Sequence, residues 1–299
     1  MILLIGNSNE EVIDYVALLL QDRGLPFLLL DPNTHGKSFE FDWEVRGGRS
    51  CGELRYGQSR LPLSDVQSVF ARDIYRTKFD PMVADPGRML YAFVESAPIL
   101  MVNRFSACAT NFSKAYQQQI IAAHGIATPK TLITTVPDAA REFYEQCDRR
   151  VIYKSISSMR SIVRKMTDAD LERLDHLKNC PTQFQEWVPG TDVRVHVIGR
   201  ELFVTDIETD SIDYRYAGRD GTQRTMRPSE LPPDLAERVL KLCKSLDLVI
   251  AGVDFRRSVD GTYVCLEANP NPGFTFYEQY TGQGIGNALV DLLSYKIAA

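Results

Sequence analysis

The sequence predicts an α/β protein that carries a smaller α+β subdomain. Three observations predict it: the chain opens strand, helix, strand; strands and helices alternate through its middle; and its last third holds two long hairpins with helices between and after them. MILLIGN is an apolar run of strand length. EEVIDYVALLLQDRG follows with Val12, Val16, Leu19 and Leu20 along one side of a helix, and LPFLLLD returns as a strand, the start of an open sheet. FEFDWEV and CGELRYG read as a more polar meander, DVQSVFARDIYR as another strand, GRMLYAFVESAP as a helix and PILMVNR as a strand. These elements form an N-terminal unit over 1–103.

SKAYQQQIIAAHG reads as a helix closed by Gly125, since glycine accepts the left-handed backbone that ends a helix. TPKTLITT, PDAAREFYEQC, RRVIYKSIS, SIVRKMT and DADLERLDHLKN then alternate strand and helix, giving a central subdomain over 104–188. Beyond TQFQEWVPG, TDVRVHVIG and ELFVTDIET make a long hairpin. A polar insertion runs from Asp210 to Glu230, followed by the helix PDLAERVLKLCKSLD, a second hairpin around Asp260-Gly261 and the last helix GIGNALVDLLSYKI, all within a C-terminal unit over 189–299.

Composition narrows the partners. With 299 residues, 44% hydrophobic, 24% charged and a net charge of −5, the chain has no basic excess for nucleic acid and would be repelled by anionic membranes. MILLIG is short and follows no basic residue, so it reads as a strand and not a signal peptide, and no apolar run approaches the roughly 18 residues of a membrane span. Six scattered cysteines without a CxxC pair point to reduced thiols and a cytoplasmic protein. A homodimer is the base-rate expectation for assembly.

The second hairpin poses the chemical question. A two-residue Asp-Gly turn sets Asp254 directly opposite Glu267, and like charges at such a separation destabilise a sheet. Asn269 shares the face, and Cys265 would share it too, either as a reactive thiol or, the favoured reading, as a small buried filler. Asp, Glu and Asn oxygens suit Mg²⁺, and a pair of ions bridged by Glu267 would clamp a phosphate chain. The alternative is that Arg256, on the same face, neutralises the pair. Lys154 ends an apolar strand and enters the hydroxyl-rich SISSMRS, where it and Arg160 could hold phosphate oxygens; Lys114 begins its helix. In FQEWVPGTDVRVHVIG a Pro-Gly turn joins two strands, leaving hinge backbone free to pair with a base edge.

In order and separation, Lys114, Lys154, QEWVPGTDVR and VDFRRSVDGTYVCLEANPNPGF resemble the ATP-grasp superfamily of carboxylate-amine ligases over roughly residues 100–299. The resemblance implies an ATP-grasp fold in which Lys114 and Lys154 contact nucleotide phosphates. Gln185 with the main chain of Glu186 and Val188 would hold adenine, Asp192 the ribose, and Asp254, Glu267 and Asn269 two Mg²⁺ ions, with Mn²⁺ as the substitute. DVQSVFARDIYR, DVRVHVIG, DYR at Asp213–Arg215 and NPNPGF followed by YEQYTGQGIGNAL are similar to RimK-like ligases, and among them to graspetide (microviridin-type) peptide maturases. Two departures stand out: SISSMRS lacks glycine, and Gly252 stands where many relatives have an arginine two residues before the metal aspartate. The oxyanion-stabilising arginine would then be Arg194 or Arg215.

The resemblance implies that a substrate carboxylate takes the γ-phosphate of ATP to form an acyl phosphate, which an amine or hydroxyl of a small acid, amino acid or precursor peptide then displaces. The central subdomain would swing as a lid, and magnesium bound with the nucleotide would relieve the repulsion between Asp254 and Glu267. Four arginines in the insertion (215, 219, 224 and 227) offer contacts for an acidic peptide, against the reading of a solvated loop. The alternatives are a nucleotide-binding scaffold or sensor that no longer ligates, and an α/β protein whose acidic hairpin is merely paired by Arg256.

Overall fold

The fold comes from a computed structural model, described here for residues 1–34, 37–72, 87–156, 163–211, 214 and 221–295. The N-terminal unit is built on a parallel sheet of β1 (Ile2–Ile5), β2 (Phe27–Leu30), β6 (Ser68–Ala71) and β7 (Leu100–Val102), in the order β2-β1-β6-β7. Every residue of β1 is buried, as an apolar run covered on both faces requires. Helices α1 (Glu11–Asp22) and α2 (Gly87–Ser96) flank it; the Glu10 carboxylate caps α1 by accepting from the Ile13 N–H at 2.9 Å. The polar meander is a separate antiparallel sheet of β3 (Phe39–Arg46), β4 (Arg49–Tyr56) and β5 (Ser59–Pro62).

Helix α3 (Lys114–Ala123) ends at Gly125, whose φ of 69° is the left-handed closure expected there. The central sheet runs β10-β9-β11-β8, from β8 (Thr131–Thr134), β9 (Val151–Ser155), β10 (Arg164–Lys165) and β11 (Thr182–Glu186), all antiparallel. Helix α4 (Pro137–Gln146) covers one face, and the lid core joins Ala140, Phe143 and Tyr144 to Val151, Leu174, Leu177 and Phe184; α5 is a single turn, Asp168–Leu171. Residues 104–123 were expected with the lid. Instead Ala107 and Ile121 pack in the core of the C-terminal sheet, because the apolar side of α3 faces Val195, Val253 and Ala268.

That C-terminal sheet is antiparallel in the order β14-β13-β12-β15-β16, made of β12 (Gly190–Ile198), β13 (Glu201–Thr209), β14 (Arg224–Ser229), β15 (Ile250–Ser258) and β16 (Tyr263–Asn269). Helix α6 (Pro233–Ser245) backs one face; α7 (Thr275–Thr281) and α8 (Ile285–Ser294) follow the sheet. Strand β14 lies inside the polar insertion, where Arg, Thr and Pro228 hid an edge strand. Helix α7 was not expected either.

Two cores cross the boundaries drawn from the sequence. One joins Ile2, Leu4, Val16 and Phe70 of the N-terminal unit to Ile198, Ile207, Ile250, Ile285 and Leu289. Asn103 fastens the same junction: its side-chain amide donates to the carbonyls of Ile250 and Pro270 and accepts from the N–H groups of Val249 and Ile250. No helix among the described residues is long and apolar enough to cross a membrane.

Candidate functional site

Strict alternation along β12 puts Asp192, Arg194 and His196 on one face of the sheet, and antiparallel pairing aligns them with β15 in ranks. Asp192 lies opposite Arg256, Arg194 opposite Asp254, and His196 opposite Gly252; β16 extends the last two ranks to Glu267 and Asn269. Asp254 and Glu267 are therefore opposed as expected, but by another route. The turn is a three-residue loop, with the Ser258 N–H donating to the Thr262 carbonyl at 2.9 Å and Gly261 at φ 86°. It pairs Arg257 with Tyr263 and Phe255 with Cys265, one residue off the two-residue register. A bulge between Asp254 and Phe255 leaves Leu266 unopposed and restores the pairing of Asp254 with Glu267. The same shift moves Cys265 off the carboxylate face into the core with Phe255, where burial pushes its thiol pKa well up.

Neither carboxylate is left to repel the other. Arg194 Nη1 donates to both oxygens of Asp254 at 2.8 Å, and Lys114 Nζ lies 2.7 Å from Glu267 Oε2. Arg194 is 4% exposed; burial alone would lower its pKa, yet the adjacent Asp254 carboxylate raises it and holds the charge. Lys114 is aimed by its helix, because Gln117 one turn on donates to the Ala268 carbonyl and accepts from the Ala268 N–H at 2.8 and 2.9 Å. Arg256 does not neutralise the acidic pair. It binds Asp192 at 2.8 Å and the Val188 carbonyl at 3.0 Å, so the reading of a hairpin merely paired by Arg256 fails.

Gly252 has a physical reason. A Cβ there would stand 2.0 Å from Arg194 Nη2 and 2.3 Å from its Cζ, so the glycine leaves the space that the guanidinium fills. That space is thus taken by an arginine of the neighbouring strand. Arg215, the other candidate, lies outside the described residues, as do Asp213, Arg219 and, in SISSMRS, Ser157, Ser158 and Arg160.

On the lid, Lys154 and Gln185 alternate to the face opposite Tyr153 and Phe184, which belong to the lid core. Gln185 is buried and donates to Thr131 Oγ1 at 3.2 Å; the Glu186 N–H donates to the Lys130 carbonyl. A cavity of about 200 Å³ opens on the Tyr153 and Phe184 side, away from Lys154, and contributes nothing to the sheet-face site.

The donor set suits magnesium: two opposed carboxylates and the Asn269 amide oxygen, which now accepts from the Asn271 N–H at 2.9 Å, match an ion that takes one or two carboxylates and completes its shell with water and phosphate. No described cluster of three His, Cys, Asp or Glu side chains could hold a metal by itself.

Several residues of the site were missed from sequence. His196 shares the face of Arg194 by simple alternation, a signal present in DVRVHV. Tyr214 and Tyr277, whose hydroxyls lie 2.7 Å apart beside Asp254, come together only in the fold. So does Arg72, at the end of β6, which pairs with Glu10 and donates to the Pro272 carbonyl at 2.8 Å.

Solved structures share this fold across the chain. The macrocyclase MdnC bound with precursor peptide MdnA, from Microcystis aeruginosa MRC, superposes with TM-score 0.80 at 23% identity, covering 99% of this chain and 100% of that one. The ATP-grasp ligase PsnB, complexed with a phosphomimetic variant of its minimal precursor, Mg and ADP, gives TM-score 0.83 at 24% identity, covering 99% and 98%. The fold is thus of the ATP-grasp class. Residues 111–293 match the RimK-like ATP-grasp domain, and the chain belongs to that family. Beta-citrylglutamate synthase B of Danio rerio is 27% identical over 205 residues, 64% of this chain and 50% of the relative, so the match spans half of that protein's length.

Proposed function

We propose that the protein is an ATP-dependent ligase that activates a carboxylate as an acyl phosphate and joins it to an amine or hydroxyl of a peptide or amino-acid substrate. One observation carries the reading: Asp254, Glu267 and Asn269 share a sheet face with Arg194 while Lys114 reaches Glu267 from α3, so each carboxylate has a cation within hydrogen-bond reach. A nucleotide scaffold has no need of a buried guanidinium held at the space above Gly252, and this favours catalysis over the scaffold reading.

Asp254, Glu267 and Asn269 would hold Mg²⁺, two ions being the number that a bridging Glu267 suits, with Mn²⁺ as the substitute; the metal would supply charge neutralisation at the transferring phosphoryl oxygens. Lys114 and Lys154 bind phosphate oxygens, with Lys114 turning from Glu267 toward the nucleotide. Gln185 with the main chain of Glu186 and Val188 holds the base. Asp192, oriented by Arg256, takes the ribose hydroxyls. Arg194 stabilises the oxyanion that forms when the nucleophile attacks the acyl phosphate, using its Nη2, which makes no hydrogen bond among the described residues. Arg215 is the second candidate for that role. The lid, a separate core on its own sheet, excludes water that would hydrolyse the acyl phosphate.

Calorimetric titration of ATP with Mg²⁺ and then with EDTA tests the nucleotide site, followed by ADP release with L-glutamate or an acidic peptide as acceptor. Magnesium-dependent binding and acceptor-stimulated ADP release are expected. No binding under either condition would end the ligase reading.

A further inference from the structure

His196 is the one fully buried imidazole in the C-terminal sheet, and the reaction as proposed gives it no task. Its Nε2 lies 3.3 Å from Arg194 Nε and 3.3 Å from the Gly273 carbonyl oxygen. A neutral imidazole cannot satisfy both with one nitrogen, since the first contact needs a lone pair and the second a proton. Arg194 is permanently a donor, and Asp254 fixes its charge beside the ring. The tautomer that serves this fixed donor has Nε2 accepting and the ring proton on Nδ1, a buried atom with no hydrogen-bond partner among the described residues. A stranded N–H costs free energy, and a core position with no other demand would be filled by an apolar side chain.

The arrangement has a geometric result. Nη1 is fixed by two bonds to Asp254, Nε by one bond to His196, and the ring is itself braced edge-to-face on Tyr277 at 4.6 Å. A planar guanidinium held along two of its edges cannot rotate, so Nη2 is aimed at the space over Gly252. Burial and the Arg194 charge both push the imidazole pKa down, so the acceptor lone pair persists.

We propose that His196 is a positioning residue that locks Arg194, through an Nε–H to Nε2 bond, so that Nη2 faces the carbonyl under attack. The role in the reaction rests on the ligase reading; the contact itself does not.

The test therefore has two arms. In ¹⁵N-histidine-labelled protein, His196, assigned by its loss in H196F, should show the Nδ1–H tautomer, and Arg194→Lys should convert it to Nε2–H donating to Gly273. An Nε2–H tautomer in the wild type overturns the proposal whatever the enzyme does. In the second arm, ADP release is followed with L-glutamate or an acidic peptide. His196→Phe keeps the ring volume but removes the acceptor, and should lower kcat about 10- to 100-fold with unchanged Mg-ATP affinity.

His196→Gln, which can present an amide oxygen, should restore most of the loss, and His196→Phe should add nothing in an Arg194→Lys background. Equal losses in Phe and Gln, a multiplicative further loss with Arg194→Lys, or weakened Mg-ATP binding would assign His196 to packing and overturn the proposal. Should His196→Phe fail to fold, the wild-type and Arg194→Lys tautomers and the Gln variant still decide. The Nδ1–H tautomer in a wild type without turnover would locate the failure in the ligase reading, overturning the catalytic role while leaving the contact intact.

Discussion

Replacing Gly252 with alanine adds one methyl group at the most crowded point of the site. The new Cβ would lie 2.0 Å from Arg194 Nη2, so the guanidinium must retreat about 1.5 Å to reach ordinary contact. Both 2.8 Å bonds to Asp254 would then lengthen beyond hydrogen-bond reach. The end of an arginine normally yields easily, but this one is 4% exposed and has no solvent to move into. Overpacking of this kind costs about 1–3 kcal/mol. Thermal denaturation should therefore show Tm lower by roughly 2–10 °C. Displacing Arg194, the proposed oxyanion donor, should lower acceptor-stimulated ADP release about 100-fold, with little change in the KM for ATP. If clash with Arg194 is the cause, Gly252→Ala combined with Arg194→Ala should be less damaging to Tm than the sum of the two. Wild-type Tm and turnover in Gly252→Ala would refute the placement of the guanidinium and the role built on it.

Three further outcomes follow from the same geometry. Asp254→Asn keeps the shape but leaves Arg194 buried without a counter-charge, a loss of about 3–5 kcal/mol, so Tm should fall by roughly 10 °C and magnesium-dependent ATP binding should vanish in calorimetry; a rise in Tm would reinstate carboxylate repulsion as the dominant effect. Lys114→Met should change stability by less than about 1 kcal/mol, since its ion pair with Glu267 is partly exposed, while weakening Mg-ATP binding about 10- to 100-fold; unchanged affinity would remove Lys114 from the phosphate site. His196 has a folded pKa held below its ordinary 6.5, so the unfolded chain binds the extra proton first. Its contribution is complete above pH 6.5 and is lost as pH falls below it, at up to about 1.4 kcal/mol per pH unit, and denaturant melts of His196→Phe should lack that acid slope.

Local signals in the sequence found most elements because periodicity reflects burial, and the all-buried β1 and the amphipathic α6 are plain cases. Strand β14 was hidden because an edge strand needs little apolar content, and α7 because its seven residues are too few to show a helical period. The opposition of Asp254 and Glu267 was legible only by compensation, since a longer turn and a bulge cancel. The wrong face for Cys265 is the visible remainder of that cancellation. What no one-dimensional pattern could supply was pairing between distant segments. Lys114 on Glu267, Arg256 on Asp192 and Arg194 over Gly252 each depend on tertiary placement, and together they turn an apparent excess of negative charge into a balanced face.

The core shared by Ile2, Leu4, Val16 and Phe70 with Ile285, Leu289 and Leu293 also has a consequence for biosynthesis. A nascent chain that has emitted β1, α1 and β6 carries an apolar surface whose cover, α8, emerges about 210 residues later, a delay of roughly 10–40 s at ordinary translation rates. The lid faces no such wait, since its own core closes within residues 132–184. Folding in order of synthesis is therefore expected to close the lid core, and the core within residues 3–105, while the face of the N-terminal sheet that α8 covers is still exposed.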